Sequence, residues 1–400
     1  MKQNKSPRSL TTLYCLHQAA YFFAIAGIGA FAVTYLLDRG FSSASIGVIL
    51  ALTNILSCAL QPMIGSFVDR RSSSLLPRII LVCLITAFVC LTVVELFPLP
   101  LLLTGLLFAL GSLTFSMTIP LSNSLCAYYS CNRYRIDYGM GSGVGSLSFS
   151  FASLAYGYII AWRGSRAMML TALAFILLQI ALILRYPRVA SDGGARSPGM
   201  QSASSGSLSI PAFCRRYRFF ILTMSGVMCL AACHAMAENY LIQLFTRIGG
   251  GSENVGVALF LACTTAAPFL MLFERIQRRT GVVVLMRLSG VFYVVKAVSF
   301  IFASSVASIY LVELLQTFTY CFLYPSLYYL VIRRIDPADM AKGQMLASAL
   351  YTLGTAIGNS IGGTAIDVWG LNAMLLIAAV IAACGTLLVH FTIDRRDTAA

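Results

Sequence analysis

Charge is what this 400-residue chain has least of. Asp, Glu, Lys and Arg together make up 10% of it, against 58% hydrophobic residues. Soluble domains carry ~25% charged residues. A soluble enzyme of this length would not have the polar surface to stay in solution. The same scarcity excludes a disordered chain, and 31 Gly and 12 Pro are too few for a collagen-like repeat. Alternating segments of roughly 10 residues, the mark of a transmembrane barrel, are missing. In their place stand uninterrupted apolar runs near the ~20 residues that a membrane-crossing helix needs. The fold class is an all-α, polytopic membrane protein.

Patterns for chemistry are equally sparse. The 12 Cys lie mostly inside apolar runs, as at Cys83, Cys90, Cys263 and Cys384, and none forms a C-x-x-C pair. They read as small packing residues, so no metal, cofactor or redox centre is expected. No Walker sequence or H-E-x-x-H is present, and the one G-x-S-x-G match, Gly358-Asn359-Ser360-Ile361-Gly362, lies inside an apolar run and not at a strand-to-helix turn, which argues against an ATPase or a membrane enzyme. Gly139, Gly141, Gly143 and Gly145 alternate as in a phosphate loop. No G-K-[ST] follows them and no strand precedes them, so close helix packing is the better reading. Gly354, Gly358 and Gly362 recur every four residues and carry the same expectation. Lys2, Lys5 and Arg8 ahead of an apolar run resemble a signal peptide. The run from Leu10 to Leu37 is too long for one and lacks a clear cleavage site, so it is expected to be a retained first span.

Apolar runs fall at 10–37, 44–68, 78–97, 100–127, 138–161, 167–185, 219–246, 255–273, 281–303, 306–332, 344–366 and 371–392. They predict twelve helices with both termini on one side. The net charge of +14 would suggest a nucleic-acid partner in a soluble protein. Here it reports topology: with the N terminus inside, 23 of the 28 Lys and Arg fall on cytoplasmic segments and four on outer loops. That asymmetry places both termini in the cytoplasm and removes the need for nucleic acid. The stretch 188–216, rich in Ser and Gly, reads as a flexible cytoplasmic linker. It divides the chain into six-helix bundles at 1–187 and 217–400. A shift of 205 residues supports duplicated halves: it pairs Tyr35-Leu36 with Tyr240-Leu241, Asp69-Arg70 with Glu274-Arg275, Pro120 with Pro325, and Gly157 with Gly362. Parallel six-helix repeats are a transporter architecture, with the solute site expected near the midplane between the halves.

Charges deep within spans cost at least ~2.5–3.5 kcal/mol and usually mark function. Glu238, Lys296 and Glu313 are such charges, all in the second half. Lys296 and Glu313 lie equally far from the turn at 304–305 and so at one depth. Glu238 sits at a similar level, with His234 one helical turn away on the same face. Two readings fit this layer: a proton-coupling site in which a carboxylate alternates between lysine-paired and protonated states, and a static ion pair that fixes packing. His17 and His390, near inner ends of their spans, read as peripheral. The first half offers uncharged groups suited to a hydroxyl-rich ligand: Gln18, Tyr21, Asn54, Ser116 and Asn123. Helix-to-helix hydrogen bonding is the alternative for each. Tyr320, Tyr324, Tyr328 and Tyr329 enrich the tenth span in aromatics, either lining a cavity or forming an interfacial belt.

The first cytoplasmic hairpin reads Gly65-Ser66-Phe67-Val68-Asp69-Arg70-Arg71. It resembles the G-x-x-x-D-R loop motif of the major facilitator superfamily, with Ser72 and Ser73 where the motif's next Gly would be. The stretches Asp137–Ser146 and Lys342-Gly343-Gln344 are similar to the lactose-permease-like proton symporters. That resemblance implies a secondary transporter working by alternating access. It makes Asp69 and Arg70 a cytoplasmic gate, with Asp69 meeting the start of the eleventh span, and makes Phe149 an aromatic stacking residue for a sugar. Ser142 stands where relatives carry a sugar-binding Arg, Asn123 and Ser124 where a carboxylate is expected, and Ala266-Ala267-Pro268 where a Glu is common. The expected activity is symport of a small polar solute, sugar-like or nucleoside-like, with protons. The alternative is proton-antiport efflux of amphiphilic drugs. The expected setting is a monomer in a bacterial inner membrane.

Overall fold

A computed structural model describes residues 7–71, 75–131, 136–187, 209–337 and 339–394. Among these residues the regular structure is helical throughout and no strand occurs. The helices are α1 (Pro7–Ile25), α2 (Ala32–Asp38), α3 (Ser43–Arg71), α4 (Leu76–Leu96), α5 (Leu101–Ser116), α6 (Thr118–Cys131), α7 (Tyr138–Ile183), α8 (Ile210–Arg216), α9 (Arg218–Asn239), α10 (Leu241–Arg247), α11 (Ser252–Thr280), α12 (Val282–Phe302), α13 (Val306–Glu313), α14 (Gln316–Arg334), α15 (Met340–Trp369) and α16 (Leu371–Thr392). Ten helical segments among the described residues are long and apolar enough to cross a membrane.

The runs expected as single spans are often two helices in series, and each break has a local cause. Between α1 and α2 the chain makes a π-helical turn over Ala26–Ala30. Two glycines fall in that turn, and a Cβ on Gly27 would press on Met168 and Tyr156. The break after Ser116 comes four residues before Pro120, whose missing N–H and ring disfavour a continuous helix there. α13 stops at Glu313 and α14 begins at Gln316. The two spans expected at 138–161 and 167–185 are the two helical arms of α7, which meet directly at Gly164, where φ 81° and ψ 169° are not helical. Gly370, between α15 and α16, has almost the same backbone, φ 84° and ψ 171°. The residue freed from a Cβ by glycine thus recurs at the same place in each half.

The chain divides into two compact units, Met1–Gly40 with Leu56–Met200, and Phe41–Ile55 with Gln201–Ala400. Most of the expected linker, 188–208, lies outside the described residues, and Ile210–Arg216 at its end is helical. Arg216 and Tyr217 there hold Asp336 at 2.6 and 3.0 Å.

In the first unit, α1 packs closely along α7. A Cβ on Gly141 would overlap the Tyr14 ring, and one on Gly145 would reach within 2.5 Å of Phe22; around Gly143 there is open space. In the second unit, Gly354 and Gly358 bring α15 against α9 so closely that a Cβ on either would overlap the carbonyls of Met228 and Ala232. Phe41–Ile55, which includes the start of α3, belongs to this unit. Asp367 accepts hydrogen bonds from the backbone N–H groups of Ser43 (3.1 Å) and Ala44 (2.7 Å) at the start of α3. Gln243 donates to the Ser43 hydroxyl at 2.9 Å, and Tyr240 to the Asn359 carbonyl at 2.9 Å.

Candidate functional site

The second unit buries a four-residue polar cluster in its apolar interior. Lys296 on α12 donates from Nζ to Glu238 Oε1 at 2.5 Å, to Glu313 Oε2 at 3.1 Å and to Gln316 Oε1 at 2.8 Å. All three N–H bonds of the ammonium are therefore used. The break between α13 and α14 makes this possible, because it lets Glu313 and Gln316, from successive helices, reach one nitrogen. Lys296 is 3% exposed and Glu313 fully buried. The Glu238 side chain is 12% exposed. His234 lies one turn before Glu238 with Nδ1 4.0 Å from Oε1. Its ring stacks on Tyr320 at 5.6 Å and meets Tyr293 edge-on at 6.1 Å.

Charge counting shows what the cluster can do. One ammonium faces two carboxyls. With both ionised, the buried group carries a net negative charge; with one proton bound, it is neutral. An uncompensated buried charge is far costlier than a neutral hydrogen-bonded group. Glu313 Oε1 is buried and accepts no hydrogen bond from the described residues. The cluster thus holds one more acid than its cation neutralises. The sequence placed Lys296 with Glu313 and, separately, Glu238 with His234; the structure joins the two pairs through one lysine nitrogen. Sequence reasoning missed Gln316. Its signal was its place three residues after Glu313, within helical reach of the same level.

The uncharged candidates divide. In the first unit Gln18 donates to the Tyr14 hydroxyl at 2.7 Å and to Asn123 Oδ1 at 3.5 Å, and Tyr14 reaches the same Asn123 oxygen at 3.3 Å. Gln18 Oε1 has no partner among the described residues. Tyr21 stacks on Phe115 at 5.0 Å. Phe149 is half-buried, and the Ser116 hydroxyl returns to its own helix at Leu113. Asn54 falls in the second unit, where it donates to Thr355 at 3.3 Å. Asp69 and Arg70 end α3 as helical residues, and their side chains lie outside the described part of the structure.

His17, expected to be interfacial from its place near the inner end of the first span, is 1% exposed, and its Nε2 lies 2.9 Å from the Ser122 hydroxyl. Gln179 donates to its backbone carbonyl at 3.4 Å. Three interior helices meet there, which the position of a histidine along one apolar run does not reveal.

A second charged cluster was missed. Glu95, in the last turn of α4, has a fully buried side chain. Arg39 Nη2 reaches it at 2.5 Å, Arg166 Nε at 3.2 Å and the Tyr35 hydroxyl at 2.8 Å. Arg39 also donates to the Val94 carbonyl at 3.2 Å. The signal was there to be read: an acid at the end of an otherwise apolar span, with two of the four outer-loop arginines available to it.

Comparison with known proteins gives a consistent result. A family model described as "MFS_1 like family" matches residues 14–376. The chain is 26% identical over 401 residues to a maltose permease of Geobacillus stearothermophilus, covering 97% of this chain and 96% of that one. Among solved structures, it resembles a point mutant of the nucleoside transporter NupG with a TM-score of 0.78 and 15% identity, covering 96% and 100% of the two chains. A POT family transporter in complex with a thioalcohol-conjugated peptide matches with a TM-score of 0.70 and 12% identity, covering 97% of each.

Proposed function

The chain belongs to the MFS_1 like family, so it is a transporter of the major facilitator type, and on that premise we propose that it couples proton movement to the symport of a small polar solute. It is an integral, multi-pass membrane protein. Counting the two arms of α7 about Gly164 separately and adding α15 to the ten candidate segments makes the proposed number of spans twelve, with both termini cytoplasmic. The halves, meeting at the linker near 188–216, alternate in access. The setting is a bacterial cytoplasmic membrane, and one chain is the working unit.

The observation that carries the coupling is the stoichiometry of the Lys296 cluster: two buried carboxyls to one ammonium. Glu313, with one oxygen bonded to Lys296 and the other unpartnered among the described residues, is the carboxyl that takes and releases the proton. Lys296 is its resting partner. Glu238 and His234 complete the cluster and connect it to the aromatic rings beside it. Gln18, Tyr21, Asn54, Asn123 and Phe149 are the proposed solute-binding groups, supported by the shared hydrogen bonds of Gln18 and Asn123. Sugar-like solutes are supported by the maltose permease relative, nucleoside-like ones by the polar, aromatic character of these groups. Asp69 and Arg70 are the proposed cytoplasmic gate.

Uptake by right-side-out vesicles under an imposed pH gradient tests the coupling. Glu313→Gln mimics the protonated state, so it abolishes accumulation while leaving exchange across the membrane largely intact. Accumulation that survives in Glu313→Gln removes Glu313 from the coupling role. Proton-driven extrusion instead of uptake favours the efflux alternative.

A further inference from the structure

From His234 of the charged cluster runs a row of tyrosine rings that the coupling reading does not use. His234 (α9) stacks on Tyr320 (α14) with planes 21° apart. Tyr320 stacks on Tyr324, one turn further along α14, at 5.2 Å and 13°. Tyr351, on α15, stands edge-on to Tyr324 at 5.4 Å and 73°. Three nearly parallel faces and one perpendicular wall therefore form a corner, built from three helices of one unit. Tyr324 occupies that corner and keeps 47% of its surface exposed.

Depth decides what this row is for. Tyr320 is the middle residue of the apolar segment Val306–Arg334, and Tyr351 lies near the middle of Met340–Trp369. Aromatic belts form at the two membrane surfaces, not halfway between them. A phenol facing hydrocarbon at mid-depth leaves its hydroxyl without water, which is costly, whereas Leu or Phe would incur no such cost. A half-open row of hydroxylated rings at this depth suits a polar occupant with a flat apolar face. Rings offer such an occupant large contact area and little conformational entropy to lose.

The geometry points to a ring-stacking solute subsite formed by Tyr320, Tyr324 and Tyr351. Its ligand class is a flat-faced ring with a polar rim, as in the C–H face of a hexose or the face of a nucleobase. The ring lies against Tyr324 with its edge toward Tyr351, and its rim groups are left to the polar residues around it. His234, at the inner end of the stack and 4.0 Å from Glu238, puts this subsite in physical continuity with the charged cluster. The assignment rests on the transporter reading above and narrows its solute.

The test uses the full chain in nanodiscs, titrated calorimetrically with maltose and, separately, with uridine. Wild type binds at least one of them, and which one it binds separates a sugar ring from a nucleobase. Stacking on an aromatic ring is worth a factor of about 5–150 in affinity. Tyr324→Leu and Tyr320→Leu each raise Kd about tenfold or more, while Tyr324→Phe and Tyr320→Phe, which keep the ring, stay within about threefold. Tyr328→Leu, one turn beyond the stack on the same helix, leaves Kd unchanged. Because Tyr324 keeps 47% of its surface exposed, shortening it opens no enclosed cavity. The ligand-free thermal midpoint confirms its fold, and Tyr324→Leu decides the matter if Tyr320→Leu does not fold. Wild-type Kd in Tyr324→Leu, or an equal loss in Tyr328→Leu, overturns the subsite and leaves the transporter reading standing. Binding of neither probe by wild type also overturns it. The transporter reading then stands or falls separately, on whether a mixed-solute vesicle assay shows any uptake driven by an imposed pH gradient.

Discussion

Each unit of this chain buries a three-charge cluster, and the two clusters have opposite stoichiometry. In the first unit one carboxylate, Glu95, meets two arginines. In the second, one lysine meets two carboxyls. An arginine keeps its charge under all ordinary conditions. Two guanidinium groups converge on the one carboxylate, so the Glu95 cluster is a clamp. It ties α2, α4 and α7 together, and Arg39 also satisfies the carbonyl of Val94 near the end of α4. The arginines remain partly in solvent, with side chains 28% and 69% exposed. The Lys296 cluster is buried and holds one acid more than its cation. The same number of charges gives one anion between two cations in one unit and one cation between two acids in the other, and the proposed proton coupling rests on the second arrangement. Arg247 in the second unit has only the clamp's role: it donates to the carbonyls of Phe300 and Ala303 at 3.1 and 3.0 Å and to Asn372 at 2.7 Å.

The largest effect that could break this comparison is at Lys296. Lys296→Ala leaves two carboxyls in the interior without their cation, and the cost is ~3–5 kcal/mol of stability. It is read as a fall in the thermal midpoint of the purified protein. Adding Glu313→Ala to Lys296→Ala recovers much of that loss. Because Glu238 is also bonded to Lys296, that pair of changes leaves one acid behind, and full recovery needs Glu238→Gln as well. Equal stability of the double and triple variants would show that Glu238 is not held by this lysine.

Glu95→Gln comes next. It removes the anion between two partly hydrated arginines, at a cost of about 1–3 kcal/mol. Its uptake keeps the wild-type dependence on pH, whereas Glu313→Gln uptake becomes insensitive to an imposed pH gradient. A Glu95→Gln protein that lost proton coupling would erase the distinction between clamp and carrier. A smaller effect is expected at Asp367, whose carboxylate sits on the first N–H groups of α3. A charge in that position contributes ~0.3–1 kcal/mol. Asp367→Asn should lower the thermal midpoint by a correspondingly small step, and no change at all would show the contact is not held in solution. Tyr35→Phe, removing one neutral donor from Glu95, should cost about 0.5–1.5 kcal/mol. A loss larger than that of Glu95→Gln would mean that the phenol, not the arginines, holds the clamp.

Much of the architecture was legible because a bilayer imposes few and strict demands. The long apolar runs follow from a single physical requirement, that backbone and side chains in hydrocarbon carry almost no unsatisfied polar groups. The breaks within spans were not legible as breaks, since Gly27, Pro120 and the Leu314-Leu315 step sit in runs that stay apolar across them. Lys296 and Glu313 were found from depth alone, because a short hairpin sets both at one level. Glu238 was placed at a similar level but not at the same nitrogen, as its helix comes from a distant part of the sequence. Glu95 escaped because it looked like an ordinary residue at the end of a span, and its partners lie 56 residues before it and 71 after it in the sequence.

By itself the sequence determined the class of the protein, its long apolar runs and the presence of costly ionic groups in the second half. Those follow from composition and spacing, which the cost of exposing polar groups to hydrocarbon ties directly to position along the chain. Only the tertiary structure decided which charges meet. It put two carboxyls on one ammonium in one unit and two guanidinium groups on one carboxylate in the other. Contact between side chains depends on the rotation of each helix about its axis and on where each helix is broken. Both are set by close packing at residues such as Gly354 and Gly358, through which α15 presses directly on the backbone of α9.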